Sequence, residues 1–420
     1  MWPFNFAKVK KLKQRNTELE NLLNQNLYWG TIFKGMPISF VDEPEELLDA
    51  GYMDNPDVYS LINYVARTAA AVELKLYNKN GDEVTDHEVL QLMDKPNPDM
   101  SFTELIEAFY IYKFGIGNGY LYKPTIETGL NAGKTQELWI MPGASTQAVG
   151  GTWTEPIQGY KILEGEYWHE IPKQDVYHGK FFNPKFENGS WVYGLSPVKI
   201  AIELIRTQNY GYTALESSYL NGSPPYIISA KTEDPLTEEQ QENLEEKYKE
   251  KYGSAENFRK PMLSSVPLDV KMLGMSPADL KILEVNKQGM RTLANVMGGI
   301  PTVLLNDLEN ATYSNYKEAR KVLYENVIMP NNKSLQEGLT SWLLPPYEEG
   351  LYFKYDYSNI EALQEGFGEK TAAIKDAFYL TINEQREILG FPAIAGGDEI
   401  VMPNRVQNQS VKDYLKTLKL

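Results

Sequence analysis

The stretch LSPVKIAIELIRTQNYGYTALESSYLNG, Leu195 to Gly222, and its counterpart MSPADLKILEVNKQGMRTLANVM, Met275 to Met297, decide the architecture of this chain. Both open with Ser-Pro after an apolar residue. Serine is a natural N-cap, because its hydroxyl accepts a bond from an otherwise orphan backbone N–H. Proline at the first helical position gives up an N–H that has no partner there anyway. Leu195 with Ile200, and Met275 with Leu280, have the spacing of a hydrophobic staple. Asp279 adds a capping carboxylate to the second helix. At 1.5 Å per residue the first helix is roughly 35–40 Å long. Two such helices with about fifty residues between them predict a stalk, out and back, with a small subdomain at its tip. That shape suits the wall of a channel better than the body of a small soluble enzyme.

The apolar residues of both helices follow 3-4 spacing. In the first they are Val198, Ala201, Ile205, Tyr212, Leu215 and Tyr219, interrupted by Gln208. In the second they are Leu280, Leu283, Met290, Ala294 and Met297, interrupted by Lys287. Such narrow seams predict helix-on-helix packing, either as ordinary core helices or as helices only partly sheathed by their own subunit.

Working outward, residues 5–27 predict an amphipathic helix and residues 30–50 an irregular arm. A helix is predicted over 55–71, started by Asn55-Pro56, then a strand from Val72 to Tyr77 and a turn at Asn80-Gly81. A short helix over 87–94 stops at Lys95-Pro96, and Ser101 with Glu104 forms a capping box for a helix to about Phe114. From Tyr120 to Lys180 short strands with Gly and Pro punctuation predict antiparallel sheet. Between the two stalk helices come a strand at Pro224–Ile228, a charged helix capped by Thr237 with Gln240, and strands from Pro261 to Leu273. After the second stalk helix a loop leads to a long helix, 313–344, bent at Met329-Pro330 because proline removes a backbone bond. A strand at Tyr352–Tyr357 and two further helices follow. The fold class is therefore α+β.

The chain has 420 residues, 42% hydrophobic and 12% aromatic, with 28 Tyr against 15 Phe. It can bury a sizeable core, and surplus tyrosine suits large, partly wet interfaces. The net charge of −16 argues against a tight nucleic-acid grip, which needs a basic patch. The dense basic cluster is Lys8, Lys10, Lys11, Lys13 and Arg15, either a solvated helical face or a contact for an acidic partner. With Cys 0, disulfides and thiolate metal sites are excluded, and a reducing compartment is expected. No apolar run reaches the roughly 18–20 residues of a membrane span, and MWPFNFAKVKK is not a secretory signal. The expectation is a soluble, intracellular protein with no membrane partner.

Catalytic motifs fail on context. Gly133-Lys134-Thr135 has Thr128 where a phosphate loop needs glycine, and it leads into a strand rather than a helix. Gly115, Gly117 and Gly119 lie between helix and strand in the reverse of the dinucleotide-binding order. His87, His169 and His178 share no metal-ligand spacing. No cofactor, metal or catalytic residue is expected, and the chain is read as not an enzyme. The alternatives are a hydrolase acting on cell-wall sugars through paired carboxylates, and an interaction scaffold of another kind. Subunit mass separates them.

Seven stretches in order carry a resemblance across residues 50–400: NPDVYSLINYVARTAA (55–70), HEVLQLMDKPNPDMSFTELIEAF (87–109), GIGNGYLY (115–122), YGLSPVKIA (193–201), NGSPPYII (221–228), GIPTVLLNDLENATYSN (299–315) and LTINEQREILGFPAIAGGD (380–398). Together they resemble the portal, or head–tail connector, proteins of tailed double-stranded-DNA bacteriophages. The resemblance implies a ring-forming subunit, usually one of twelve, around a channel for DNA packaging and ejection. Beyond the basic N-terminal helix and arm read from the residues (1–50), it implies a mixed helix and antiparallel-sheet wing (51–194), stem helices (195–221 and 276–298), a small α/β clip (222–275), a tunnel loop (299–313), a bent wing helix and strand (314–358) and a helical crown (359–420). Clip residues Tyr226, Ile228, Glu238, Glu239, Glu242 and Glu246 are expected to meet neighbouring subunits, the terminase large subunit and the head–tail adaptor. The wider partners implied are the major capsid or scaffolding protein, in the virion and, during assembly, in the host cytoplasm. The tunnel segment Thr302, Val303, Leu304, Leu305, Asn306, Asp307, Leu308, Glu309 and Asn310 is expected to line the channel. It contains no base, so it is read as a surface over which double-stranded DNA slides without sequence-specific binding.

Overall fold

The computed structural model describes residue 38 and residues 44–124, 134–152, 154–185, 187–221, 226–230, 237–239, 242–243, 246, 268–272, 281–307, 313–364, 371, 374, 377, 380–389, 391 and 393–398. The predicted N-terminal helix and its basic cluster lie outside them, as do the Ser276-Pro277 start and the Met275–Leu280 staple. The chain divides into two units, Met1–Tyr355 and Asp356–Leu420.

The first unit begins with helix α1 (Pro44–Leu47), which runs into a π-helical turn, Leu48–Met53. The sequence predicted an irregular arm here; the six-residue widened turn carries no apolar periodicity that would announce it. Helix α2 (Pro56–Ala70) starts where predicted, with the Asn55 side chain accepting from the N–H groups of Asp57 and Val58. Strand β1 (Glu73–Tyr77) and helix α3 (Glu88–Asp94, capped by the His87 ring) follow. Helix α4 (Phe102–Ile116) has both bonds of the Ser101–Glu104 capping box and ends on Gly117 in the left-handed region, φ 81°. A Cβ at Gly117 would sit 2.5 Å from the Gly194 carbonyl oxygen, so the backbones meet where only glycine fits.

Helices α2 and α4 pack against one another, burying Val58, Leu61, Ile62 and Val65 of one and Leu105, Ile106, Phe109 and Phe114 of the other. Beside them stand two three-stranded antiparallel sheets. One has β2 (Asn118–Tyr122) between β3 (Trp139–Ile140) and β7 (Val176–Lys180); the other has β5 (Ile157–Glu164) between β4 (Thr146–Gly150) and β6 (Tyr167–Pro172). Tyr120, Met141, Ala148, Tyr160, Val176 and Tyr193 form one buried cluster between them. His178 is half-buried here, stacked on Tyr120 at 4.3 Å and bonded to Asn118 at 2.9 Å. Burial holds its pKa well below 6.5, so it is a neutral core residue.

The first stalk helix is α5 (Pro197–Ile200) and α6 (Ile202–Asn221), joined through a local irregularity at Ala201. Ser196 caps it as predicted, accepting from the Lys199 N–H at 3.2 Å. The predicted staple is not made: Ile200 is 60% exposed, and Val198 is the residue that is buried. Strands β8 (Tyr226–Ala230) and β9 (Leu268–Met272) pair antiparallel, with Tyr226 opposite Met272 and Ile228 opposite Val270. The second stalk helix is described as α7 (Ile282–Val296). The long helix after it is three pieces: α8 (Tyr313–Leu323), a π-helical turn (Tyr324–Ile328) and α9 (Met329–Leu343). Strand β10 (Tyr352–Asp356) pairs with β1.

In the second unit, α10 (Ile382–Ile388) is started by a Thr381–Glu384 capping box. The Asn383 side chain bonds the N–H and carbonyl of Ile394 and the carboxylate of Asp398, closing the following loop.

Candidate functional site

Gln208 is the residue that interrupts the apolar seam of α6, and it is fully buried. Its Nε2 donates to the Asp57 carboxylate at 2.9 Å and to the Asn286 carbonyl at 3.1 Å, and its Oε1 accepts from Asn55 at 3.2 Å. Burial raises the Asp57 pKa, and the Gln208 bond works against that rise. The interruption is therefore the point where α6, α7 and the start of α2 are joined. Facing Gln208 is Gly289 of α7, where a Cβ would lie 2.6 Å from Nε2. A buried amide with its bonds made fixes one register of the two helices, since any slip leaves polar groups unpaired.

The predicted seam of α7 holds only in part: Ala294 and Met297 are buried as expected, with Leu293 beside them. Nearer the start of the helix Ile282, Asn286 and Gly289 are buried, whereas Leu283 is 72% exposed. There the apolar pattern misses the contact because Asn286 and Gly289 belong to it and carry no apolar signal. Leu283, Met290 and Leu305 instead line an open cavity of about 610 Å³. It shares Asp57, Met290, Leu305 and Asn306 with a second cavity of about 790 Å³ between α2 and α8.

Residues 302–307 close this region. Thr302–Leu305 form a 3-10 turn, and Asn306 takes the left-handed conformation, φ 64°, which Asn tolerates better than most residues. Leu304 is buried, Val303 and Leu305 are half-buried, and Asn306 is exposed. Asp307 is not an uncommitted acid. Its carboxylate takes two bonds from the Arg291 guanidinium, at 2.8 and 3.1 Å, and one from the Thr302 hydroxyl at 3.0 Å. The Lys287 ammonium lies 3.6 Å away. The Arg291 bond, helped by Thr302 and Lys287, holds the Asp307 pKa down at about 2. The side chain is only 6% exposed. The expectation of a free, uniformly acidic segment is thus corrected at this position, because two cations one turn apart on α7 neutralise it. Leu308, Glu309 and Asn310 lie outside the described residues.

The π-helical turn before Pro330 is stitched to the α2–α4 pair. Asn331 donates to the Val327 carbonyl at 2.8 Å and accepts from Lys113 at 2.9 Å; Asn332 accepts from the Tyr110 hydroxyl at 2.7 Å and donates to the Ala69 carbonyl at 3.3 Å. Lys113 sits 4.9 Å over the Phe181 ring, and burial lowers its pKa to about 8.

Of the other expected residues, Tyr226 and Ile228 stand two apart on β8. Glu238, Glu239, Glu242 and Glu246 are helical and exposed. Lys134 pairs with Glu88 at 2.6 Å. Among the described residues no cluster of His, Cys, Asp and Glu could hold a metal, and no helix is long and apolar enough to cross a membrane.

The family model described as phage portal protein matches residues 56–390. The portal protein of Enterobacteria phage HK97 is 24% identical over 354 residues, covering 81% of this chain and 80% of that protein. Among solved structures, a chain from the neck of an empty GTA particle computed with C6 symmetry aligns with a TM-score of 0.66 at 27% identity, covering 86% of this chain and 97% of that one. A chain from the neck of a native GTA particle computed with C12 symmetry aligns with a TM-score of 0.64 at 27% identity and the same coverage, 86% and 97%. The mixed helix and antiparallel-sheet fold matches these structures.

Proposed function

We infer the function from a plain premise: this chain belongs to the phage portal protein family. It forms a portal ring through which DNA is packaged and ejected. In finer terms, we propose a ring of twelve at one capsid vertex, for which the similarity to the neck solved with C12 symmetry is the support. Helices α5, α6 and α7 are the stem around the channel. The segment with β8, β9 and the acidic helical residues Glu238, Glu239, Glu242 and Glu246 is the clip, docking first the terminase large subunit and then a head–tail adaptor. Residues 51–194 with 314–358 are the wing, facing the major capsid or scaffolding protein, and 359–420 are the crown. Residues 302–310 are the tunnel segment.

The protein acts as a structural conduit and not as an enzyme: the work of translocation belongs to a docked terminase. Twelve copies of −16 surround the DNA path with a strongly acidic body. Each phosphate neutralised by Lys or Arg would add a salt-dependent grip on a molecule that must keep moving. The pairing of Arg291 and Lys287 with Asp307 suits that need, because it keeps both cations at the base of the tunnel segment occupied. The location is the virion portal vertex, reached from the host cytoplasm during assembly.

The observation that carries this reading is the family match over residues 56–390, a range that contains the segments assigned here to stem, clip and tunnel. Gel filtration with light scattering tests it: the expected mass is near twelve times 47.9 kDa, with rings and a central hole in electron micrographs. A monomer or dimer at every concentration would refute it. An ATPase activity lost in Lys134→Ala would refute the non-enzymatic part.

A further inference from the structure

A second stripe runs along the first stalk helix, on the side away from its buried seam. Ile200, Glu203, Thr207, Tyr210, Ala214 and Ser217 repeat at 3-4 spacing, and all are exposed. Ile200 is 60% and Tyr210 73% exposed. The buried seam is Val198, Ala201, Ile205 and Gln208, two residues earlier at each step, and two residues turn a helix by about 200°. The stripe therefore faces away from α7. Residues on the intervening flank meet the α1 segment, where Arg206 pairs with Glu46 and Asn209 donates to the Ala50 carbonyl. Five of the six stripe residues are uncharged. Ile200, Tyr210 and Ala214 give this face an apolar component with a large aromatic at its centre, a surface suited to another helix or groove.

A closed ring joins unlike faces head to tail, so one chain must carry both halves of the contact. The other half is present in the same unit. Leu283 at 72% exposed, with Met290 and Leu305, forms the apolar floor of the 610 Å³ cavity, and this cavity continues into the 790 Å³ one. Both are roomy enough for a tyrosine ring. The charges also match in sign: the exposed acid beside the stripe is Glu216, while the far wall of the groove brings Arg320.

We propose that Tyr210, at the centre of the α6 stripe, seats in the Leu283–Met290–Leu305 groove of the next copy of this chain, so that the groove is completed only in the ring. The stripe is then the subunit contact and does not face the DNA path. This rests on the ring reading above.

The absence of native cysteine allows a clean test. Tyr210→Cys and Leu283→Cys in one chain, oxidised in assembled rings, should give a covalent ladder up to the full ring on a non-reducing gel. Each single variant should stay at monomer mass, because unlike faces never bring a residue against itself. Tyr210→Glu should lose the ring while its far-ultraviolet circular dichroism is unchanged, and Tyr210→Glu with Leu283→Lys should regain ring mass. Wild-type rings with no ladder from the double-cysteine variant overturn this inference and leave the ring reading intact. If the double-cysteine variant does not assemble, the charge pair decides, and failure to regain ring mass overturns the inference. A wild-type chain that never exceeds monomer mass overturns the ring reading, and this inference with it.

Discussion

Replacing Asp307 by Asn should loosen the 302–307 turn severalfold. The wild-type carboxyl, ordinarily near 3.8, is held at about 2, chiefly by its bonds to Arg291. At full value that displacement corresponds to ~2 kcal/mol. Arg291 and Lys287 are 35% and 41% exposed, so solvent screens both partners. Screening reduces the figure to about 1 kcal/mol, a factor approaching ten in an opening equilibrium. Asparagine has the same shape and its amide oxygen can keep the Thr302 bond, so the variant removes the charge and at least one of the two Arg291 bonds. Hydrogen exchange at the Asp307 amide, which donates to the Thr302 carbonyl at 3.2 Å, reads the local opening. Its protection factor at pH 7 should fall by that factor in Asp307→Asn. The acid's pKa is depressed by folding, so its contribution is complete above about pH 4 and is lost as pH falls through about 2. Wild-type protection should therefore converge on that of the variant between pH 4 and pH 2. Equal protection at pH 7, or a gap that persists below pH 2, would show that the Arg291–Asp307 pair does not hold the turn.

Other substitutions test the packing around this site. Gly289→Val should cost about 1–3 kcal/mol in denaturant unfolding, because even its Cβ would fall 2.6 Å from the bonded Gln208 amide. Gly117→Ala should cost at least about 1 kcal/mol, since alanine would be strained at φ 81° and its Cβ would meet Gly194 at 2.5 Å; unchanged midpoints for either variant would contradict the close approaches described. Burial lowers both Lys113 and Lys180 to about 8, so the unfolded chain binds more protons between that pH and about 10 and stability should climb across the window. Lys113→Met should remove part of that climb, and a pH profile parallel to wild type would show that Lys113 is not buried as a cation. Deleting residues 224–272 and joining the stalk helices should leave soluble protein that no longer forms rings, as judged by electron microscopy.

What the sequence revealed and what it hid divide along the range of the contacts. Asn55-Pro56, Ser101 with Glu104 and Ser196-Pro197 are helix starts whose donors and acceptors lie within three residues, and each is found where the pattern placed it. The strands between Tyr120 and Lys180 alternate and turn within a few residues, so they were legible too. The two π-helical turns, Leu48–Met53 and Tyr324–Ile328, were not, because an added residue per turn breaks the very period by which a helix is recognised.

The stalk was legible as two helices that pack on one another, but not in the polar residues and glycine that join them. An apolar period passes over polar residues and glycine, and here Gln208, Asn286 and Gly289 are the contact. The same blindness hid the second stripe of α6, whose Ile200 has the spacing of a staple partner for Leu195 and yet is exposed. Asp307 was illegible for a related reason. Its charge is cancelled from α7, sixteen residues earlier at Arg291, and nothing in the composition of 302–310 announces a partner outside it. Net charge over a segment therefore says little about the field a passing phosphate would feel; paired and unpaired charges must be told apart first. For a conduit this distinction has a direct consequence. On the reading of 302–310 as the tunnel segment, an acid already committed to Arg291 and Lys287 repels DNA weakly, and its removal would take a carboxylate partner from two cations in every subunit. We propose that Asp307 holds those cations, which would tie the stability of the turn and the free passage of DNA to one carboxylate.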